Sequence, residues 1–267
     1  MFKVSKTFMM FMMGLVFGLV LLLIITGASL IQRKSAEQIE YQAKLVDATP
    51  VKSGVLTEKQ RIHSKRFTYY LTARGGTGGG NGISALVART KRDGHLIVNT
   101  WIGVGLGRVR QPESPETFFG ELARRSDVVI LGRVANKNSQ VTEDDGFLFT
   151  DYDVAVEEVL KDNAATSASL SPGATITVTW PGGAVLLDGV IVTAIDQNVL
   201  PLPTNNHDVV LFLKFLPQTG TYYAARYSDA YEIDGASVLK LTDAALPLDA
   251  IPNRESFLET LRTVSVK

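Results

Sequence analysis

The chain of 267 residues holds 27 basic and 27 acidic side chains, three histidines and no cysteine. That length can close a sizeable core in one or two domains once the first thirty or so residues are set aside. The missing cysteines exclude disulfide scaffolds, thiolate zinc sites, cysteine nucleophiles and lipid attachment through an N-terminal cysteine. Without Lys3 and Lys6, 25 basic face 27 acidic side chains, scattered rather than clustered, which gives no basic surface for a nucleic-acid partner.

No charged side chain lies between Lys6 and Arg33, and Phe8 to Ile25 is almost wholly Phe, Met, Leu, Val and Ile. A helix over residues 8–31 would be roughly 36 Å long, enough to cross a hydrocarbon layer of about 30 Å. Residues 1–31 therefore read as a transmembrane anchor or a signal segment. The length suits an uncleaved anchor; a signal peptide would use the basic start and a cleavage site after Ala28. Either way the main domain is expected outside the cytoplasm, membrane-anchored or, after cleavage, secreted or periplasmic. Arg33 and Lys34 offset Lys3 and Lys6, so the orientation stays open.

Residues 32–56 have too little apolar content for a core and read as a tether. Residues 57–112 form a small N-terminal subdomain with a Gly-rich loop. In it, Thr57 to Arg66 is a basic run expected as a solvated face, and Phe67 to Ala73 is rich in strand formers. The run from Gly75 to Gly82 follows. Gly80-Asn81-Gly82-Ile83-Ser84-Ala85 fits a variant of the dinucleotide fingerprint, but no acidic residue ends the next apolar run and no repeating strand–helix units follow. A phosphate loop fails because no Lys-Ser or Lys-Thr follows Gly80. A flexible loop without a cofactor is the expectation. Gly82–Arg89 and His95–Gly105 are then two apolar runs around the turn Lys91-Arg92-Asp93-Gly94, either a helix and a strand or a hairpin.

Residues 113–267 read as a β domain with leading and C-terminal helices. Ser114-Pro115-Glu116 starts a helix: a hydroxyl cap, a proline whose missing N–H costs nothing there, and an acid at the positive end of the dipole. Phe118, Phe119, Leu122 and Ala123 share one face of it, with Arg124 and Arg125 in the last turn. Val128 to Leu131 is continuously apolar, as a strand buried on both faces would be. Asn136 to Gly146 reads as a polar loop, and Glu143-Asp144-Asp145-Gly146 as a turn, because the alternating ligands of a calcium loop are missing.

Tyr152, Val154 and Val156 then alternate with Asp151, Asp153, Ala155 and Glu157, and Ile176, Val178 and Trp180 with Thr175, Thr177 and Thr179. The carboxylates and hydroxyls are expected on a water-facing side of the sheet, with no histidine or pocket beside them. Asp188-Gly189 and Asp234-Gly235 mark hairpins, and Pro201 to Asp208 a loop before a further apolar run to Pro217. About seven strands of one curled antiparallel sheet result. Asn253 caps a last helix whose stripe of Phe257, Leu258, Leu261 and Val264 docks on that sheet. The fold class is thus mainly β, an antiparallel β-barrel or sandwich with flanking helices, preceded by the apolar segment.

The order of SDVVILGRV, a loop, TDYDVAVEEVLKDN, ITVTWPGG and HDVVLFLKF resembles a group of uncharacterised exported bacterial proteins. More distantly it is similar to the netrin/TIMP-like form of the OB barrel, over residues 126–233. The resemblance implies an OB-like barrel. The inhibitors of that superfamily act through an N-terminal cysteine that binds a protease's zinc; this chain has none, so no functional residue carries over.

His63, His95 and His207 are far apart and show no metal-binding spacing, so they read as surface or loop residues. No GxSxG elbow marks a nucleophile. The sequence therefore designates no catalytic, cofactor or metal residue. The expected function is a non-catalytic, membrane-tethered or secreted protein-binding module, whose partners are the membrane, through the N-terminal segment, and a protein. A cell-envelope enzyme of hydrolase type is the alternative.

Overall fold

The computed structural model describes residues 47–51, 55–73, 82–101, 114–163, 169–195, 200–204, 206–224, 230–241 and 253–265. The apolar segment 1–31, most of the tether and residues 75–81 of the glycine run lie outside the described residues. Among those described, no helix is long and apolar enough to cross a membrane.

Thr57 opens the first helix, α1 (Glu58–Ala73), with a capping box. Its hydroxyl accepts from Gln60 N at 3.2 Å, and Gln60 Oε1 accepts from Thr57 N at 2.9 Å. The strand expected at Phe67–Ala73 is instead the second half of this helix. A helix already nucleated and capped adds one hydrogen bond per residue, and that cooperative gain overrides the local strand preference. Of the two readings open for the next runs, helix and strand is observed: α2 (Ile83–Arg92) and β2 (Ile97–Trp101), joined through Gly94 at φ +76.

The leading helix α3 (Pro115–Arg125) starts as read. Ser114 Oγ accepts from Thr117 N, and Phe118, Phe119, Leu122 and Ala123 are buried. Then follow β3 (Val128–Val141), β4 (Leu148–Asp162) and β5 (Thr175–Pro181). The polar loop expected from Asn136 belongs, up to Val141, to β3, because those polar residues pair with Leu148–Asp153 of β4. Three register shifts bend this long pair. At one of them Gly132 lets the strands approach closely: a Cβ there would lie 2.6 Å from Ala155 O.

The chain continues through β6 (Gly183–Leu187), β7 (Val190–Ile195), β8 (Asp208–Leu216), β9 (Thr221–Ala224), β10 (Ala230–Asp234), β11 (Ser237–Lys240) and α4 (Arg254–Ser265). These strands do not form one sheet. The hairpin β6–β7, tight at Asp188-Gly189, forms a second, mixed sheet of order β1-β6-β7-β2 with β1 (Thr49–Val51). Both β1 and β2 join it as parallel strands at its edges.

The larger sheet runs β11-β10-β8-β3-β4-β5-β9, and β9 pairs again with β8. The pairings β3-β4-β5-β9-β8 thus return to their start, with β5 and β9 as the one parallel pair of that ring. Two apolar clusters lie on either side of β3 and β8. Val128, Ile130, Val209, Leu211 and Leu213 join one with Trp180 and the second sheet. Val129, Leu131, Val210 and Phe212 join the other under α3 and α4. Burial on both faces is why these strands read as unbroken apolar runs.

Candidate functional site

Helix α1 lies over the side of β4, β5 and β9 that the alternation had turned toward water. Asp151 and Thr179 are register partners across β4 and β5, and Thr179 is the parallel partner of Tyr223 in β9. Residues of odd number on three strands therefore share one patch. Its centre is His63. The imidazole Nδ1 lies 3.1 and 3.2 Å from the two oxygens of Asp151, and Nε2 lies 2.9 Å from Thr221 Oγ1 and 3.1 Å from Thr219 Oγ1. Thr179 Oγ1 donates to Asp151 Oδ1 at 2.6 Å.

Contrary to both expectations, His63 is not at the surface and Asp151 does have a histidine beside it. His63 is 1 % exposed and Thr221 1 %. Beside the carboxylate, Nδ1–H is the donor of the neutral tautomer, which leaves the Nε2 lone pair to accept a threonine hydroxyl. Carboxylate, imidazole and hydroxyl thus stand in the order of an acid–base relay. His63 and Thr221 are buried and Thr219 is half-buried, and each hydroxyl already has partners in the network, Thr219 and Thr221 bonding each other at 2.6 Å. A buried polar network so satisfied positions α1.

The same helix reaches the turn between β3 and β4. Ser64 Oγ accepts from Glu143 N at 2.7 Å, and Arg61 Nε lies 3.2 Å from Glu143 Oε1. That turn is the expected one, with Asp145 at φ +59. Beyond it Asp145 caps α2: its carboxylate accepts from Ser84 N at 3.0 Å and from Ser84 Oγ at 2.9 Å, and its carbonyl accepts from Ile83 N. The helix start that a dinucleotide fingerprint would offer to a pyrophosphate is therefore filled by a carboxylate of the protein's own. Gly82 serves this contact, since a Cβ there would sit 2.3 Å from Asp145 Oδ2. Beside the turn runs a groove of about 200 Å³, lined by Val51, Val55, Leu56, Val141 and Glu143 among others.

The other two histidines are placed apart. His95 is exposed in the turn after α2. His207 bonds Glu232 through Nδ1, with Asp234 3.6 Å from Nε2, and this bonding raises its pKa above the ordinary imidazole value. Next to it the buried Asp208 holds Arg133 and, at 2.8 Å, Arg254 at the start of α4. Among the described residues no group of three His, Cys, Asp or Glu is arranged to hold a metal. Ser237 and Lys240 have the Ser-x-x-Lys spacing of some hydrolases, but they lie on strand β11, where positions three apart project from opposite faces.

The His63 network escaped the sequence reading because its members are 88 and 158 residues apart from His63 along the chain. One signal was present: Thr57-x-x-Gln60 marks a helix start, which makes Lys59, His63 and Arg66 one face rather than a solvated run. No protein-family model and no curated protein sequence matches the chain.

Proposed function

We propose that the protein is a non-catalytic binding module built on an OB-type barrel, held at or exported across a membrane by its apolar N-terminal segment and engaging another protein. The observation that carries the non-catalytic part is the state of the His63 network: the imidazole and Thr221 are buried, and the hydroxyls beside it are all committed to partners. The barrel reading is supported by the cyclic pairing β3-β4-β5-β9-β8 with its single parallel pair. The 27 basic and 27 acidic side chains, scattered along the sequence, favour a protein over a nucleic-acid partner.

The test places a photo-reactive residue at Glu143, beside the groove, and in a second protein at Glu259 on α4, with the full chain in its own envelope. A single adduct of defined mass from the first position and none from the second is expected. Turnover of ester or peptide substrates by the purified chain, abolished in Thr221→Val, would instead establish the hydrolase alternative.

A further inference from the structure

Helix α1 holds the ring by polar chemistry. Among its described side chains the buried ones are Gln60, His63 and Ser64, and none of them belongs to either apolar cluster. Lys59, His63 and Arg66 stand at i, i+4 and i+7, one stripe on one helix face. Each meets a different strand. Lys59 Nζ donates to Thr177 Oγ1 of β5 at 3.2 Å, and that hydroxyl donates to Asp153. His63 meets Asp151 of β4, and the Arg66 guanidinium donates to the Tyr223 hydroxyl of β9 with its carbon 4.4 Å from the ring centroid. A stripe of two cations with a buried imidazole between them thus meets a face of two carboxylates, several hydroxyls and an aromatic ring.

That face lies on the second, third and fourth strands of the ring, between the turn Thr142–Phe147 and the turn at 217–220. Among the described side chains the contacts of this helix with the face are polar, each a small net gain over water, so a competitor that makes the same contacts can replace it. Its covalent attachment gives it a high effective concentration, so only a well-matched competitor succeeds.

We propose that the β4–β5–β9 face is a docking site for a basic helix of a partner protein, with cationic side chains at i and i+7 and a hydrogen-bond donor to Asp151 at i+4, and that α1 fills it in cis until displaced. The proposal rests on the protein-binding reading above and names its site and the chemistry of its partner.

A fluorescent peptide of residues 57–73 serves as the probe, with anisotropy measured against three chains. In Lys59→Ala/Arg66→Ala two exposed contacts of α1 are removed and the face is intact. In Lys59→Cys/Thr177→Cys a bifunctional thiol reagent ties α1 down, and the absence of other cysteines makes the link specific. The third adds Asp151→Asn to the first. The peptide is expected to bind the first chain at least tenfold more tightly than the tethered one, and to lose that gain with Asp151→Asn. Equal affinity for the first and tethered chains overturns the proposal, as does absence of binding to the first chain while its circular dichroism is native. A concentration-dependent dimer of the first chain, dispersed by the peptide, would make a second copy the occupant and overturn the assignment to a foreign partner. If the peptide fails but the Glu143 adduct forms, the docking face falls and the protein-binding reading stands.

Discussion

Asp145 shows how much a single side chain can carry. It holds a left-handed backbone conformation, closes the β3–β4 turn and caps α2 with both carboxylate oxygens within reach of Ser84. Replacing it by alanine removes the cap and places a Cβ residue less suited to positive φ, for a loss of about 1–2 kcal/mol in urea denaturation. Asparagine tolerates that conformation and keeps one acceptor, so Asp145→Asn should lose less. His207 bears a prediction of another kind. Its pKa is raised by the bond to Glu232, helped by Asp234 and Asp208. A group with a raised folded-state pKa contributes stability that is complete below its ordinary value of 6.5 and is lost as pH rises through the raised value. The thermal midpoint should therefore fall with rising pH just above 6.5, and His207→Asn should flatten that slope.

Helix α3 and helix α4 are joined to the ring by one aromatic cluster. The Phe119 ring is fully buried and lies 5.3 Å from Phe257, 5.4 Å from Phe118 and 5.6 Å from Tyr231, edge to face in each case, and 6.2 Å from Phe212 in a stacked arrangement. Such pairings add to what burial alone contributes. Phe119→Ala should cost about 3–5 kcal/mol in chemical denaturation. By contrast Arg262, whose guanidinium makes two bonds to Glu158 from the outer side of α4, is half exposed. Its replacement by alanine should cost well under about 1 kcal/mol, because water and salt screen the pair. The difference between the two variants tests whether packing rather than charge holds the two flanking helices on the sheet.

At the scale of the molecule, the strands contributed from residues 47–112 complete the second sheet. The β6–β7 hairpin has β1 on one edge and β2 on the other, both parallel, and Ile83 and Val87 of α2 pack in the same cluster as Val185 and Val192. A chain of residues 113–267 alone would leave both hairpin edges and the polar ring face uncovered. It should bind a hydrophobic dye and lack the near-ultraviolet dichroism of the full chain; cooperative unfolding with native dichroism would show that the two parts fold separately.

The sequence by itself determined what depends on neighbours along the chain. The Ser114 cap and its buried stripe, the Asp188-Gly189 hairpin, the Asn253 cap and the alternation of β4 and β5 are all present where periodicity and turn chemistry put them. Each is set by hydrogen bonds or side-chain spacing within a few residues, and such interactions are written locally. Only the tertiary structure decided the rest. It carried Asn136–Val141 into β3, divided the strands between two sheets and buried His63 against Asp151 and Thr221. The physical reason is the same throughout. Alternation says which residues share a face, but it does not say what covers that face, and here the side that alternation assigned to water is covered by a polar helix that begins nearly ninety residues earlier in the chain.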